Sequence, residues 1–296
     1  MGLTEPLSDG ISAGPMVAKV TDPLGVEDEG LGLLTRTKTF RDRVQAGGGS
    51  IEDGSLENLY DPILRAIKGF SGVGPSDLVL FVSASAVENN SGSIPTLFDA
   101  SGGENDATQT DTAKQPTLKK DGIGGRWEAN GDGNDDRLRI PSEVADAFES
   151  GSKGTVMSVV RYKSPSNYEH VFSLDDGAPY WLIRCNSIGD ITTFVDDGST
   201  RKKAIGSNPS FPATLVHSGR YNGSEIVVRE NGVQTGLRSA SLGDSTYTGK
   251  EYLMSRDSGN RLKGAFACTI AFGTPLSDTQ LSEIEDKANT YYDNIY

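Results

Sequence analysis

From Leu78 to Phe272 the sequence is a succession of short apolar runs, each ended within a few residues by glycine, proline, asparagine or aspartate. Runs of this length, repeated at short intervals with turn residues between them, predict an antiparallel sandwich or barrel. The runs are Leu78–Ser83, Thr155–Tyr162, His170–Leu174, Tyr180–Asn186, Ile191–Val195, Ala213–Ser218, Glu225–Arg229, Tyr252–Met254 and Gly264–Phe272. The sharpest turn signal is Asn222-Gly223, a pair that tolerates positive φ at both central places of a two-residue hairpin. After it, Ile226 and Val228 alternate with Glu225, Val227 and Arg229, which predicts one drier strand face. Glu230-Asn231-Gly232 marks the next turn. The chain closes on a helix: Ser277 and Gln280 form a capping box, and Leu281, Ile284, Ala288, Tyr291, Tyr292 and Ile295 recur at helical spacing. Pro275 keeps the residues before it out of that helix.

Composition excludes several functions. With 28 basic against 41 acidic residues, a net charge of -13 opposes wrapping nucleic acid or docking on an anionic membrane. No apolar run approaches the roughly 20 residues a membrane helix needs. The 36 glycines suit many turns better than a helical bundle. The N-terminus MGLTEPLSDG has neither a basic head nor an apolar core, so no secretory signal is expected. Pro6 stands where a myristoylation signal needs serine or threonine. Cys185 and Cys268 each fall in a strand and are expected to be reduced and buried. Synthesis in a cytoplasm follows.

The first part of the chain differs. Met1 to about Leu31 is rich in glycine, proline and acid, and by itself reads as extended or disordered. Leu33–Val44 and Leu56–Ile67 read as short helices, with Pro62 inside the second. Such helices are marginal alone, so the pair must pack on the main domain or on another chain. Gly69–Pro75 reads as a linker, which gives an arm at 1–75 and a main domain at 76–296. Val144–Phe148 suggests a helical turn within the second part.

Several segments in order carry a family resemblance. They are Asn105–Gln109, Gln115–Leu118, Asp121–Ile140, the YNGSEIVVRENG hairpin, the KGAFACTIAF strand and the LSDTQLSEIE helix. Together they resemble the concanavalin A-like lectin/glucanase superfamily, and more closely the laminin-G-like jelly rolls of bacterial surface and phage virion proteins. Phe40–Ile63 is similar to leaders that precede such domains in tailed-phage structural proteins. The resemblance implies a mainly β, antiparallel two-sheet jelly-roll sandwich with a C-terminal helix and a small N-terminal extended and helical arm. Trp127 would fill the space between the sheets, with the aliphatics of Thr155–Val160 and Ile226–Val228. It implies a non-enzymatic virion protein, decorating the head or associated with the tail, made in the host cytoplasm. Residues 1–70 would bind other virion proteins in a homo-oligomeric assembly, and the domain would face host-surface polysaccharide. The alternative is a bacterial surface carbohydrate-binding module.

No catalytic constellation is expected. Glycanases of that superfamily carry a Glu-x-Asp-x-x-Glu strand, whereas Glu104–Gln109 ends in glutamine and sits in a loop-like stretch. Glu283–Asp286 reads as solvated helix surface, and His170 and His217 as ordinary strand residues. The loop Asn130–Asp136 is rich in oxygen ligands, but Asp135 and Pro141 occupy the glycine and glutamate places of an EF-hand. No cofactor is expected, with a calcium site of another kind left open. The candidate ligand site is Asp175, Asp176, Tyr180 and Trp181: a ring to cover sugar C–H groups beside acids that accept hydroxyl hydrogen bonds. Alternation demands that one of the two aromatics fill the core instead. Asp196-Asp197 with Arg201-Lys202-Lys203 reads as a solvated hairpin tip.

Overall fold

The computed structural model describes residues 29–74, 76–149, 152–164, 168–174, 179–247, 250–256 and 259–296. The expected arm at Met1–Leu31 lies almost wholly outside them. Strands are numbered in chain order. The back sheet runs β1 (Ser50–Ile51), β2 (Leu78–Asn90), β17 (Lys263–Phe272), β8 (Gly154–Tyr162), β13 (Ala213–Tyr221), β14 (Glu225–Glu230), β15 (Val233–Ser239). The front sheet runs β4 (Ala107–Thr108), β7 (Leu138–Ile140), β16 (Glu251–Leu253), β9 (Glu169–Leu174), β10 (Tyr180–Cys185), β11 (Ile191–Asp196), β12 (Arg201–Ile205). All these pairings are antiparallel. Strand β3 (Ser93–Asp99) pairs with both β2 and β4, so it joins the sheets along one side. Strands β5 (Thr117–Lys119) and β6 (Glu128–Asp132) pair with each other, and β6 also pairs with β17. The molecule is an antiparallel two-sheet sandwich, as expected.

Alternation along the strands builds the core between the sheets. Leu80, Val82, Val156, Val160, Leu215, Ile226 and Val228 face Phe172, Trp181, Ile183, Ile191 and Val195. Gly219 on β13 permits this approach: a Cβ there would lie 2.5 Å from Thr193 Oγ1 and 2.7 Å from Ile183 Cγ2.

The outer face of the back sheet is also apolar and is covered by helices. Phe81, Met157, Val159, Val216, Ala267, Ile270 and Phe272 form a second core there. Helix α1 (Glu29–Ala46) contributes Phe40 and Val44 to it. A wide π turn at Leu56–Tyr60 leads into α2 (Asp61–Lys68), with Pro62 tolerated in the first turn. Of the two partners open to this helical pair, it takes the body of its own chain: Tyr60 packs between Phe40 and Phe81, with ring centroids 5.0 and 4.8 Å away. A short helix α3 (Ser142–Asp146) matches the expected helical turn. Helix α4 (Asp278–Tyr291) completes the cover, opened by the Ser277–Gln280 capping box.

Three local expectations are corrected. The Asn222 N–H bonds the Glu225 carbonyl at 3.2 Å, so the central residues of that hairpin are Gly223 and Ser224, with positive φ at Gly223. At the next turn, Asn231-Gly232, φ is positive at both places. Strand β14 is dry on both faces, because α4 lies over its outer side. The Glu283–Asp286 segment is not wholly solvated either. Glu285 is fully buried and takes the Arg229 guanidinium through both carboxylate oxygens, at 2.9 to 3.1 Å. Cys185 and Cys268 are free and buried, as expected.

Removing one half of a buried ion pair leaves the other charge without a partner, at roughly 3–5 kcal/mol. Glu285→Ala is therefore expected to lower unfolding free energy in urea by about that amount. A double Arg229→Met, Glu285→Leu replacement, which removes both charges, should recover most of the loss.

Candidate functional site

The front sheet's outer face has no helix over it among the described residues. Period-2 alternation assigns its side chains. On β10, Trp181, Ile183 and Cys185 point to the core, while Tyr180, Leu182 and Arg184 point outward. On β11, Phe194 and Asp196 are the outward partners of Leu182 and Tyr180. On β12, Arg201, Lys203 and Ile205 face outward and are exposed, while Ala204 is buried. Tyr180, Leu182 and Phe194 form a small apolar cluster on this surface.

Long basic side chains roof that cluster. The Arg184 guanidinium carbon sits 4.1 Å from the Tyr168 ring centroid and 4.1 Å from that of Phe194. Its Nη1 donates to His170 Nε2 at 3.3 Å, while its buried Nε–H has no acceptor. Burial and three neighbouring arginines hold His170 well below the usual imidazole range, so the ring is neutral and accepts. Burial also draws Arg184 down to about 10. Lys203 Nζ lies 5.6 Å from Phe194. Arg201 and Arg256 approach the Tyr180 ring at 5.0 and 4.7 Å. Arg201 also pairs with Asp196 at 3.2 Å. Tyr168 is 40% exposed and presents ring surface to solvent.

The expected site residues separate. Trp181 is fully buried between the sheets, packed against Phe148 and Phe172, and offers no face to a ligand. Alternation thus sends the tryptophan inward and Tyr180 outward. Tyr180 lies on the candidate surface but beneath two arginines, at 3% exposure. Asp175 and Asp176 lie outside the described residues. The basic run Arg201–Lys203, expected as a hairpin tip, is instead part of β12, and the turn before it is capped by Asp197, which accepts from Ser199 and Thr200. The signal was present at every second residue: Arg201, Lys203 and Ile205 share one face. Arg184 and Tyr168 carried no local signal.

Other clusters are structural or polar. Asp106 of the Glu104–Gln109 segment is held by Arg43 at 2.7 Å and accepts the Asp99 N–H. His217 is buried and bonded to the Tyr162 hydroxyl at 3.1 Å, and burial holds it down at about 4. Trp127 packs against the inter-sheet core only from its margin: it is half-buried, with Lys120 Nζ 4.9 Å from its ring. It lines a groove of about 530 Å³ with Glu52, Asp53, Asp121 and Arg126. Glu52 is nearly buried there, accepting from the Trp127 N–H and the Tyr291 hydroxyl. Asp132, Asp135 and Asp136 bring carboxylate oxygens within 4.8 Å of one another. Desolvation and the two neighbouring carboxylates raise Asp136 to about 6. Backbone N–H groups of the same loop already bond Asp132 and Asp136.

Comparison with solved structures places this architecture. The binding domain of botulinum neurotoxin DC, in complex with SialylT, superposes with a TM-score of 0.52 at 11% identity, over 72% of this chain and 52% of that one. The binding domain of Paraclostridial mosquitocidal protein 1 gives 0.51 at 13% identity, over 73% and 53%. A Trypanosoma rangeli sialidase, in complex with a difluorinated nononic acid, gives 0.50 at 11%, over 88% and 39%. The chain shares their β-sandwich fold. It spans about half the length of the two toxin domains. No protein-family model matches the sequence, and no curated protein matches it.

Beneath the candidate surface, on the inner side of β9, Glu169 is 2% exposed, and burial pushes its carboxyl up to about 8 from 4.5. Between those values the folded chain keeps a proton that the unfolded chain has lost, so stability falls as pH rises through the window. Glu169→Gln should therefore raise the melting temperature at about pH 8.5 and change it little at about pH 4. Thermal melts across that range check the sign.

Proposed function

We propose that this protein is a non-enzymatic carbohydrate-binding protein that holds its ligand on the outer face of the front sheet. The observation that carries the reading is the roofed cluster around Phe194: ring surface at Tyr168 beside the held guanidinium of Arg184 and the exposed ammonium of Lys203. Rings cover the C–H face of a sugar, and fixed donors orient its hydroxyls. Tyr180 supports this surface from below. Proteins of the same fold in complex with SialylT and with a nononic acid add support. Against catalysis stands the fate of the acidic segment at Glu104–Gln109, whose Asp106 is engaged by Arg43.

The finer reading, a concanavalin A-like domain of a tailed-phage virion protein, rests on the resemblance at Phe40–Ile63 and along the sandwich. In it, residues 1–70 bind other virion proteins of a homo-oligomeric assembly and the sandwich faces host polysaccharide. The described apolar side chains of the helical pair pack on their own sandwich, so in this reading docking falls to residues before Lys38. A particle assembled with chain lacking residues 1–28 should lose the protein; normal incorporation would overturn the docking role.

A glycan array probed with the full chain is expected to show binding. Tyr168→Ala should weaken it by roughly threefold to tenfold, the worth of about one aromatic contact. Silence across the array, or affinity untouched by Tyr168→Ala, would sink the assignment to this face.

A further inference from the structure

The kind of sugar can be narrowed, and this step rests on the reading just given. The chain carries an excess of acid, yet four basic side chains gather on one sheet face: Arg184, Arg201, Lys203 and Arg256. Arg201 has its counter-ion in Asp196. Arg184 and Lys203 meet no carboxylate within 4 Å among the described residues; what they touch is aromatic, apart from the neutral His170. A half-buried guanidinium without a counter-ion loses hydration and regains no Coulomb attraction. Its carbon is nonetheless held 4.1 Å from the centroids of two rings, with Nε buried and unbonded. A neutral sugar calls for neither a cation nor two of them. A flat, pre-oriented guanidinium beside an ammonium fits an anionic oxygen pair, because the fork bonds two oxygens at once while the ammonium adds a point charge.

We propose that the outer face of the front sheet binds saccharides bearing an anionic group, a carboxylate or a sulfate ester, gripped by Arg184 and Lys203 while Tyr168 lies against the sugar ring. The guanidinium is held by its rings before the ligand arrives. Of the acids outside the described residues, Asp175, Asp176 and Asp257 stand nearest in sequence to these side chains.

The test titrates the full chain with three oligosaccharides of matched length: a neutral galactan, a galacturonan and a sulfated galactan. Calorimetry is run at low and at moderate salt. One or both charged arms should bind at least about tenfold tighter than the neutral arm, with the gap shrinking as salt rises. Which charged arm wins tells carboxylate from sulfate. Arg184→Gln should erase most of the gap, and the exposed Lys203→Gln should reduce it severalfold without threatening the fold. Arg184→Lys keeps the charge but loses the fork, so it should recover part of the binding. Equal affinity for neutral and charged arms, lowered by Tyr168→Ala but indifferent to Lys203→Gln, would overturn the charge preference and leave sugar binding intact. Binding to none of the three, against a silent array, would overturn both. If a triple Asp175→Asn, Asp176→Asn, Asp257→Asn variant binds a charged arm that the native chain ignores, those acids already neutralise the face and the inference fails.

Discussion

A two-sheet sandwich has four faces, and water can be excluded between the sheets from only two of them. The remaining two decide what the molecule can be. Here the back sheet's outer face is as apolar as the core, so it must be covered, and helices α1, α2 and α4 cover it. The front sheet's outer face carries a much smaller apolar cluster, Tyr180, Leu182 and Phe194, and its cover is made of side chains rather than backbone. That asymmetry gives the protein a sealed side and a side where chemistry faces solvent. Sandwiches usually carry their ligand sites on end loops; here Arg184, Arg201 and Lys203 gather on a strand surface.

The seal on the back has a polar centre. Arg229 leaves the outer face of β14 and meets Glu285 of α4 with both groups buried. Arg220 of β13 bonds the Leu276 carbonyl and pairs with Asp278 at the helix start, at 2.8 Å each. These contacts fix how α4 lies across the sheet, which van der Waals packing alone would leave free to slide. The Tyr291 hydroxyl then reaches Glu52 beside β1, which ties the last helix to the segment between the first two.

Local physics was readable in the sequence, and long-range partnership was not. The Ser277–Gln280 box and the strand runs involve residues a few places apart, and they stand where the pattern put them. Alternation stated that one of Tyr180 and Trp181 must be buried, but not which, because that depends on which way β10 faces. Glu285 looked like a solvated acid because its partner lies 56 positions away on another element. Arg184 was invisible for the same reason: Tyr168 and Phe194 reach it only once β9, β10 and β11 lie side by side. The hairpin at Asn222 was placed correctly and phased one residue early, since Asn222 caps the turn with its side chain, accepting from Ser224 and Glu225, rather than sitting at its centre.

The place of β17 bears on how the molecule is made. It sits mid-sheet, with β8 along one edge and β6 and β2 sharing the other, although it comes near the end of the sequence. During synthesis, β2 and β8 therefore leave the ribosome with no neighbour to close the gap between them. Sandwich formation must wait for translation to reach Lys263–Phe272, and α4 follows later still. Pairings this distant in sequence form slowly, and a nascent chain waiting for them shows bare strand edges to its surroundings. Chaperone occupancy on polysomes should thus be long for this chain, and premature termination upstream of Lys263 should yield aggregate rather than a smaller folded body.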